Sequence, residues 1–331
     1  MSNNPLLVPW ATPFGVPPFD LIRPEHFAPA LERGMAEHLA EIAAITGDPA
    51  VADFANTIEA LERAGGMLER VANVFSNLVS SLGSEALQAI ERDFAPKFAQ
   101  HGSRVSFDAA LFARIEAVHA RRSELGLSAE ALRLLERRHL GFVRAGAALE
   151  GDAKLRMAAI SERLAVLHTE FGQNVLHDEK AWHLALGEGD LDGLPGFVVE
   201  GARQAAAERG VEGFAITLAR SSIEPFLTFS RRRDLRQVAH AAWVARGEHA
   251  GPHDNRALIP EILALRAERS RLLGYANYAD FRLADTMAAS VANVARLTDE
   301  VWAAARPRAE AEAERLLAVA RGDGINDRIE K

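Results

Sequence analysis

Apolar residues recur every three or four positions along most of the chain, which is the period of an amphipathic helix. From Pro24 onward this spacing predicts long helices that pack as antiparallel hairpins, so the expected fold class is mainly α. Helices are predicted near residues 108–124 and 129–145, and the apolar face of a further helix runs from Met157 to Val175. The first predicted helix has one face made of Phe27, Leu31, Met35, Leu39 and Ile42.

A second long helix is predicted to open at Asn56, because Glu59 follows it at the spacing of a capping box. A heptad repeat along this helix is typical of a seam against an antiparallel neighbour. Gly65 and Gly66 fall inside the seam, where small residues are expected to let the neighbouring helix approach closely. The seam residues are Leu61, Leu68, Phe75 and Leu82.

Two short segments alternate apolar and other residues, which is the pattern of strands. They run from Trp182 to Leu186 and from Phe214 to Leu218, and they enclose a predicted helix from about Pro195 to Arg209. We therefore expect a small two-stranded α+β insert near residues 177–222. No strong domain boundary is predicted, apart from a candidate sub-boundary near residue 177.

Polar residues concentrate in a break between two of the later helices, in the segment Arg246–Arg256. The glycines of this segment and its Pro252 indicate an irregular turn. Helical spacing is predicted before the segment from Ser230 and after it from near Pro260. A last long helix is expected to begin after Ser290, which has the side chain of a helix cap.

Two groups of histidines have spacings that resemble those of metal ligands. His249 and His253 are four positions apart, but the glycine and proline between them argue against a shared helical face. We therefore expect them to be surface or hydrogen-bonded side chains. His177, His183 and the acidic residues between them are expected to form a polar turn before the first strand. No metal-binding or catalytic residue is predicted in this chain.

Composition narrows the function further. The chain has 331 residues, a formal net charge of −8 and no cysteine, so any metal would need histidine or carboxylate ligands. The negative charge argues against general nucleic-acid binding, which needs a basic surface. No window approaches the roughly 18 apolar residues of a membrane span, and the N-terminus lacks the pattern of a signal peptide. The expected location is cytoplasmic, without a membrane partner.

Several long stretches match one known family in the same order along the chain. They are NPLLVPWATPFGVPPFDLIRPEHFAPALERGMAEHLAEI, FANTIEALERAGGMLERVANVFSNL, QNVLHDE, SSIEPFLTFSRRRDLR and ARGEHAGPHDNRALIPEILALRAERSRLLGYANYADFRLADTMA. These stretches resemble the thimet-oligopeptidase family of zinc metallopeptidases, in particular its bacterial peptidyl-dipeptidase and oligopeptidase A members. The resemblance covers essentially the whole chain.

The resemblance implies a zinc enzyme that hydrolyses short peptides. The family binds zinc through an H-E-x-x-H helix, in which two histidines hold the metal and the glutamate activates water. None of the 11 histidines here is followed by glutamate. We therefore expect residues 1–331 to be the helical, non-catalytic N-terminal region of a larger metallopeptidase, with zinc in the full-length family but none in this chain. The missing C-terminal catalytic half would then be a partner, and this chain alone would be inactive.

In the resembled family the N-terminal half forms one wall of a channel that admits short unstructured peptides. Fixed polar groups at a break between helices suit contact with peptide backbone and termini. On that basis the predicted channel residues are Arg246, Asp254, Asn255 and Arg256. Asp254 and Asn255 have an equally good structural interpretation as caps of the following helix. The alternative function is a non-catalytic helical peptide-binding or interaction module.

Overall fold

The structure of the chain is a computed structural model that describes residues 4–324. The fold is mainly α, and the sequence prediction of the fold class is confirmed. The described residues divide into two compact units, 4–265 and 266–324. The helices are α1 Phe27–Thr46, α2 Ala60–Arg63, α3 Gly66–Ser81, α4 Glu85–Ser106, α5 Ala109–Ala120, α6 Ala129–Ala145, α7 Gly151–Ala181, α8 Gly196–Arg209, α9 Arg220–Phe229, α10 Arg233–Val244, α11 Leu258–Leu272, α12 Tyr278–Leu283 and α13 Val291–Gly322.

One core of the first unit lies among α1, α3 and α4, and residues of the N-terminal segment pack into it. Helices α1 and α3 approach closely at Gly34, where an added Cβ would lie 2.9 Å from the Cα of Leu68. The rings of Phe27 and Phe75 meet across the same interface, with centroids 5.1 Å apart. The buried side chains of this core include Leu6, Ile22, Phe27, Leu31, Val71, Phe75, Leu87 and Phe94.

A second core lies between α5 and α6 and against the C-terminal end of α1. Both helices begin at side-chain caps, since Asp108 accepts from the backbone N–H of Leu111 and Ser128 accepts from that of Ala131. Because the caps and the apolar spacing agree, the two helices form close to their predicted bounds. Their buried residues are Leu111, Ile115, Val118, Leu135 and Phe142.

The predicted capping box at Asn56 and the predicted heptad seam are wrong. Asp53 is the cap, and Asn56 is the residue whose side chain returns to it. A π-helical turn follows over Phe54–Glu59, and the chain then breaks at Gly65, which has a φ of +80°. The seam is therefore divided between two helices that pack into different cores, and its last residue, Leu82, is 67% exposed.

The predicted α+β insert is confirmed. Strands β1 (His183–Leu186) and β2 (Phe214–Thr217) pair antiparallel, so that His183 lies opposite Thr217 and Leu186 lies opposite Phe214. Helix α8 connects them, and a third core forms around β2, α8, α9 and α10. Helix α9 was not predicted, because no side chain caps it and Pro225 lies inside it.

The second unit contains the end of α11, the short helix α12 and the whole of the long helix α13. Ser290 caps α13 as predicted, with its hydroxyl accepting from the backbone N–H of Asn293 at 3.2 Å. Most apolar side chains of α13 are exposed, from Val291 to Val319. Within residues 4–324, no helix combines the length and the apolar character that a bilayer crossing needs.

Candidate functional site

The polar segment Arg246–Arg256 lies against the C-terminal part of α7. Residues 177–179 belong to this helix, so the expected polar turn there is wrong. The backbone N–H of Gly247 donates to the Asp178 carboxylate at 2.7 Å. The ring of His253 stacks on that of His177, with centroids 3.7 Å apart. The two polar groups that the sequence placed some 70 residues apart therefore form one cluster.

Asn255 holds the segment to α7 through a buried amide, and only 3% of its surface is exposed. Its Nδ2 donates to the backbone carbonyl of Phe171 at 3.1 Å, and its Oδ1 accepts from Asn174 Nδ2 at 2.9 Å. Its backbone N–H donates to the carbonyl of Gly247 at 2.8 Å. Buried amides need such partners, so Asn255 fixes the conformation of the segment.

The other three predicted channel residues are held by ion pairs. Arg246 pairs with Glu179 and lies over the ring of Trp243. Arg256 pairs with Asp254 at 2.6 Å. Hydrogen bonds from Arg256 lower the pKa of the Asp254 carboxyl to about 2. Contact of the four residues with a substrate stays a prediction.

A polar cleft of about 550 Å³ lies beside this cluster, between α4, α7 and the loop at Pro252 and His253. Arg92 and Lys180 bring positive charge to its wall, and Glu85 and Glu170 bring negative charge. The remaining lining residues are Gln88, Gln173, Asn174, His177 and Ala181. Such a mixture of charges and amides can bind the backbone and the termini of a peptide.

The walls of the cleft are fixed by bonds between α4 and α7. The amide of Gln173 donates to the backbone carbonyl of Gln88 at 3.0 Å, and its oxygen accepts from Arg92 at 2.5 Å. Lys180 donates to the backbone carbonyl of Gly83. An ammonium has three N–H donors, so this contact leaves donors for a ligand. The sequence pattern did not identify Arg92 or Lys180, because each is an ordinary polar residue on a helix.

A group of three metal-ligand side chains lies elsewhere in the first unit. Glu116 and His119 are on α5 and His139 is on α6, and these are the residues within 4–324 that could jointly hold a metal ion. Burial lowers the pKa of His119, and the neighbouring His139 lowers it further. The only sequence signal was the spacing Glu-x-x-His at 116–119, since the third residue comes from another helix.

Comparison with known proteins relates the chain to a family of peptidases. Residues 226–330 match Peptidase family M3. The chain is 35% identical over 320 residues to "Dipeptidyl carboxypeptidase" of Escherichia coli strain K12, covering 96% of this chain and 47% of the relative. The chain is related to the family M3 peptidases. The resemblance read from the sequence is thus confirmed.

Other relatives match over a similar extent. "Dipeptidyl carboxypeptidase" of Salmonella typhimurium is 37% identical over 290 residues, which are 87% of this chain and 43% of the relative. "Oligopeptidase A" of Escherichia coli is 28% identical over 331 residues, which are 98% of this chain and 48% of the relative. The chain therefore spans about half the length of the curated relatives that it matches.

The zinc helix of this metallopeptidase family does not fit any residues of the chain. Two histidines and a glutamate must share one helical face in the order H-E-x-x-H, and no histidine here is followed by glutamate. The group of Glu116, His119 and His139 has another order and comes from two helices. No step of peptide hydrolysis is therefore assigned to residues of this chain.

Proposed function

We propose that residues 1–331 form the N-terminal portion of a zinc-dependent oligopeptidase or peptidyl-dipeptidase that hydrolyses short peptides. The single observation that carries this proposal is the 35% identity to a dipeptidyl carboxypeptidase along 96% of the chain. In this proposal the helical units are a channel wall, and the C-terminal half of the enzyme supplies the zinc helix. Zinc would supply an activated water for attack on the peptide bond.

The role of this chain is to hold the peptide. Arg92 and Lys180 of the cleft bind carboxylate groups, and Glu85 and Glu170 bind an amino terminus or basic side chains. The predicted channel residues Arg246, Asp254, Asn255 and Arg256 have the proposed role of keeping the loop at the edge of this cleft in place. Short unstructured peptides are the expected ligands, because a cleft of this volume accepts a few residues of an extended chain.

The partner in this proposal is the C-terminal catalytic half. Helix α13 supports it, since Leu297, Val301 and Trp302 in its N-terminal part are exposed apolar side chains. Leu316 and Val319, near the C-terminal end of the same helix, are exposed apolar side chains as well. Exposed apolar area of this kind is typical of a surface that another body covers. The formal charge of −8 argues against nucleic acid as a partner, and the proposed location is the cytoplasm.

The alternative is a helical peptide-binding module without catalysis, which is favoured by the mixture of charged and amide side chains in the cleft. Hydrolysis of a quenched fluorescent peptide separates the two. We expect none from the 331-residue chain by itself, and zinc-dependent hydrolysis when the C-terminal half of the Escherichia coli relative is added. The added half alone and a chelator are the controls. Chelator-sensitive hydrolysis by this chain alone would contradict the proposal.

Peptide binding tests the cleft itself. Fluorescence anisotropy of a labelled short peptide should show weaker binding by Arg92→Gln than by the unmodified chain. Arg220→Gln is the matched control, because Arg220 is an exposed arginine that pairs with Glu224 outside the cleft. Equal binding by both variants would show that the cleft is not the peptide-binding site. Binding that is lost only in Arg92→Gln, without complementation by a catalytic half, would favour the non-catalytic module.

A further inference from the structure

The α5–α6 hairpin presents three metal-ligand side chains from rigid backbone. Ile115 and Val118 of α5 are buried in the same core as Leu135 of α6, so the packing fixes both helices. Glu116 and His119 follow these buried residues directly in the sequence, one helical turn apart. Core packing therefore fixes the backbone positions of these two residues.

The three side chains already contact one another. His139 Nε2 lies 2.8 Å from Glu116 Oε2, and the side chain of His139 is only 17% exposed. The rings of His119 and His139 are parallel within 1° and their centroids are 3.8 Å apart. One ligand atom from each of the three side chains lies within 4.8 Å of the other two.

We propose that Glu116, His119 and His139 bind one divalent transition-metal ion, of which Zn²⁺ is the best suited, and that the ion joins α5 to α6. Two imidazoles and one carboxylate are a ligand set that zinc accepts, with water in the fourth position. Ligand nitrogens about 2.0–2.1 Å from zinc lie about 3.3 Å apart in a tetrahedron. One imidazole must therefore rotate out of the parallel stack so that both ring nitrogens point at the same ion.

The nitrogen ligands select the class of metal. Calcium and magnesium prefer sites made of oxygen atoms, whereas imidazole favours zinc and its transition-metal neighbours. Binding replaces the hydrogen bond between His139 and Glu116 with two bonds to the ion. Because the ion binds the folded hairpin and links two helices, it stabilises the folded chain. This inference does not depend on the proposed function.

The test is a competition titration of the 331-residue chain, prepared without a histidine tag, against a chromophoric zinc indicator. We expect one tight equivalent of Zn²⁺, and its loss in Glu116→Gln and in His139→Gln. His240→Ala is the matched control, since it removes an exposed histidine of α10 and should keep the tight equivalent. Loss of zinc binding in Glu116→Gln cannot be attributed to misfolding, because Glu116 is half exposed and glutamine has nearly the same shape.

A second readout uses thermal unfolding followed by circular dichroism. Zn²⁺ should raise the unfolding midpoint of the unmodified chain and of His240→Ala, and leave the midpoints of the two ligand variants unchanged. Absence of a tight equivalent in the unmodified chain would overturn the inference. Retention of that equivalent in both ligand variants would overturn it as well, because the ion would then be bound elsewhere.

Discussion

The substitution Asn255→Ala tests whether the buried amide holds the polar segment to α7. It removes the bond to the Phe171 carbonyl and the bond from Asn174, a residue that is itself only 4% exposed. A lost hydrogen bond costs about 1 kcal/mol, and a buried amide left without a partner costs about 1–3 kcal/mol. We therefore expect the free energy of unfolding to fall by roughly 2–4 kcal/mol, a large part of a typical total.

Urea denaturation followed by tryptophan fluorescence measures this change. Asp254→Ala is the matched control, because the neighbouring residue forms its ion pair with the exposed Arg256 and should lower the free energy of unfolding by less than Asn255→Ala does. A double-mutant cycle with Asn174→Ala should give a coupling energy of about 0.5–3 kcal/mol, as expected for side chains in contact. Equal stability of Asn255→Ala and Asp254→Ala would refute the reasoning.

Two further predictions concern helix packing and one ion pair. Gly34→Ala should lower the free energy of unfolding by roughly 1–3 kcal/mol, because the added Cβ meets the backbone of Leu68. Gly201→Ala is the control, since its Cβ points into open space and should stabilise α8 by about 0.5–1 kcal/mol. Equal effects of the two substitutions in thermal denaturation would contradict this reasoning. NMR titration should place the pKa of Asp254 near 2, and Arg256→Gln should return it toward its usual range. Because the folded pKa is depressed, the stabilisation from this pair is present above about pH 4 and is lost as pH falls toward 2; an unchanged Asp254 titration in Arg256→Gln would exclude the ion pair as the cause.

Local pattern was enough for most of the secondary structure. Helices α5 and α6 were predicted from their apolar spacing, and the structure shows a capping side chain at the start of each. The strands were predicted because apolar and other residues alternate along them. The same kind of pattern failed at Gly65. The helices before and after Gly65 are both amphipathic, so apolar residues continue to recur every seven positions across the break although the helix itself ends there.

The candidate site was predicted only in part. The sequence singled out the polar segment, and the structure shows which partners hold its side chains. The sequence did not indicate that Asn255 would be buried. Its burial depends on contact with α7, where its partner Asn174 lies 81 positions earlier in the chain. Arg92 and Lys180 were missed for the same reason, since only the packing of α4 on α7 makes them walls of one cleft.

By itself the sequence determined the helical fold class, the small insert, the family relationship and the absence of an H-E-x-x-H motif in these residues. These properties depend on residue identity and on spacing over a few turns. Only the tertiary structure decided which side chains meet. Glu116 and His139 are 23 positions apart, and they come within hydrogen-bond distance because the buried faces of α5 and α6 fix the register of the two helices.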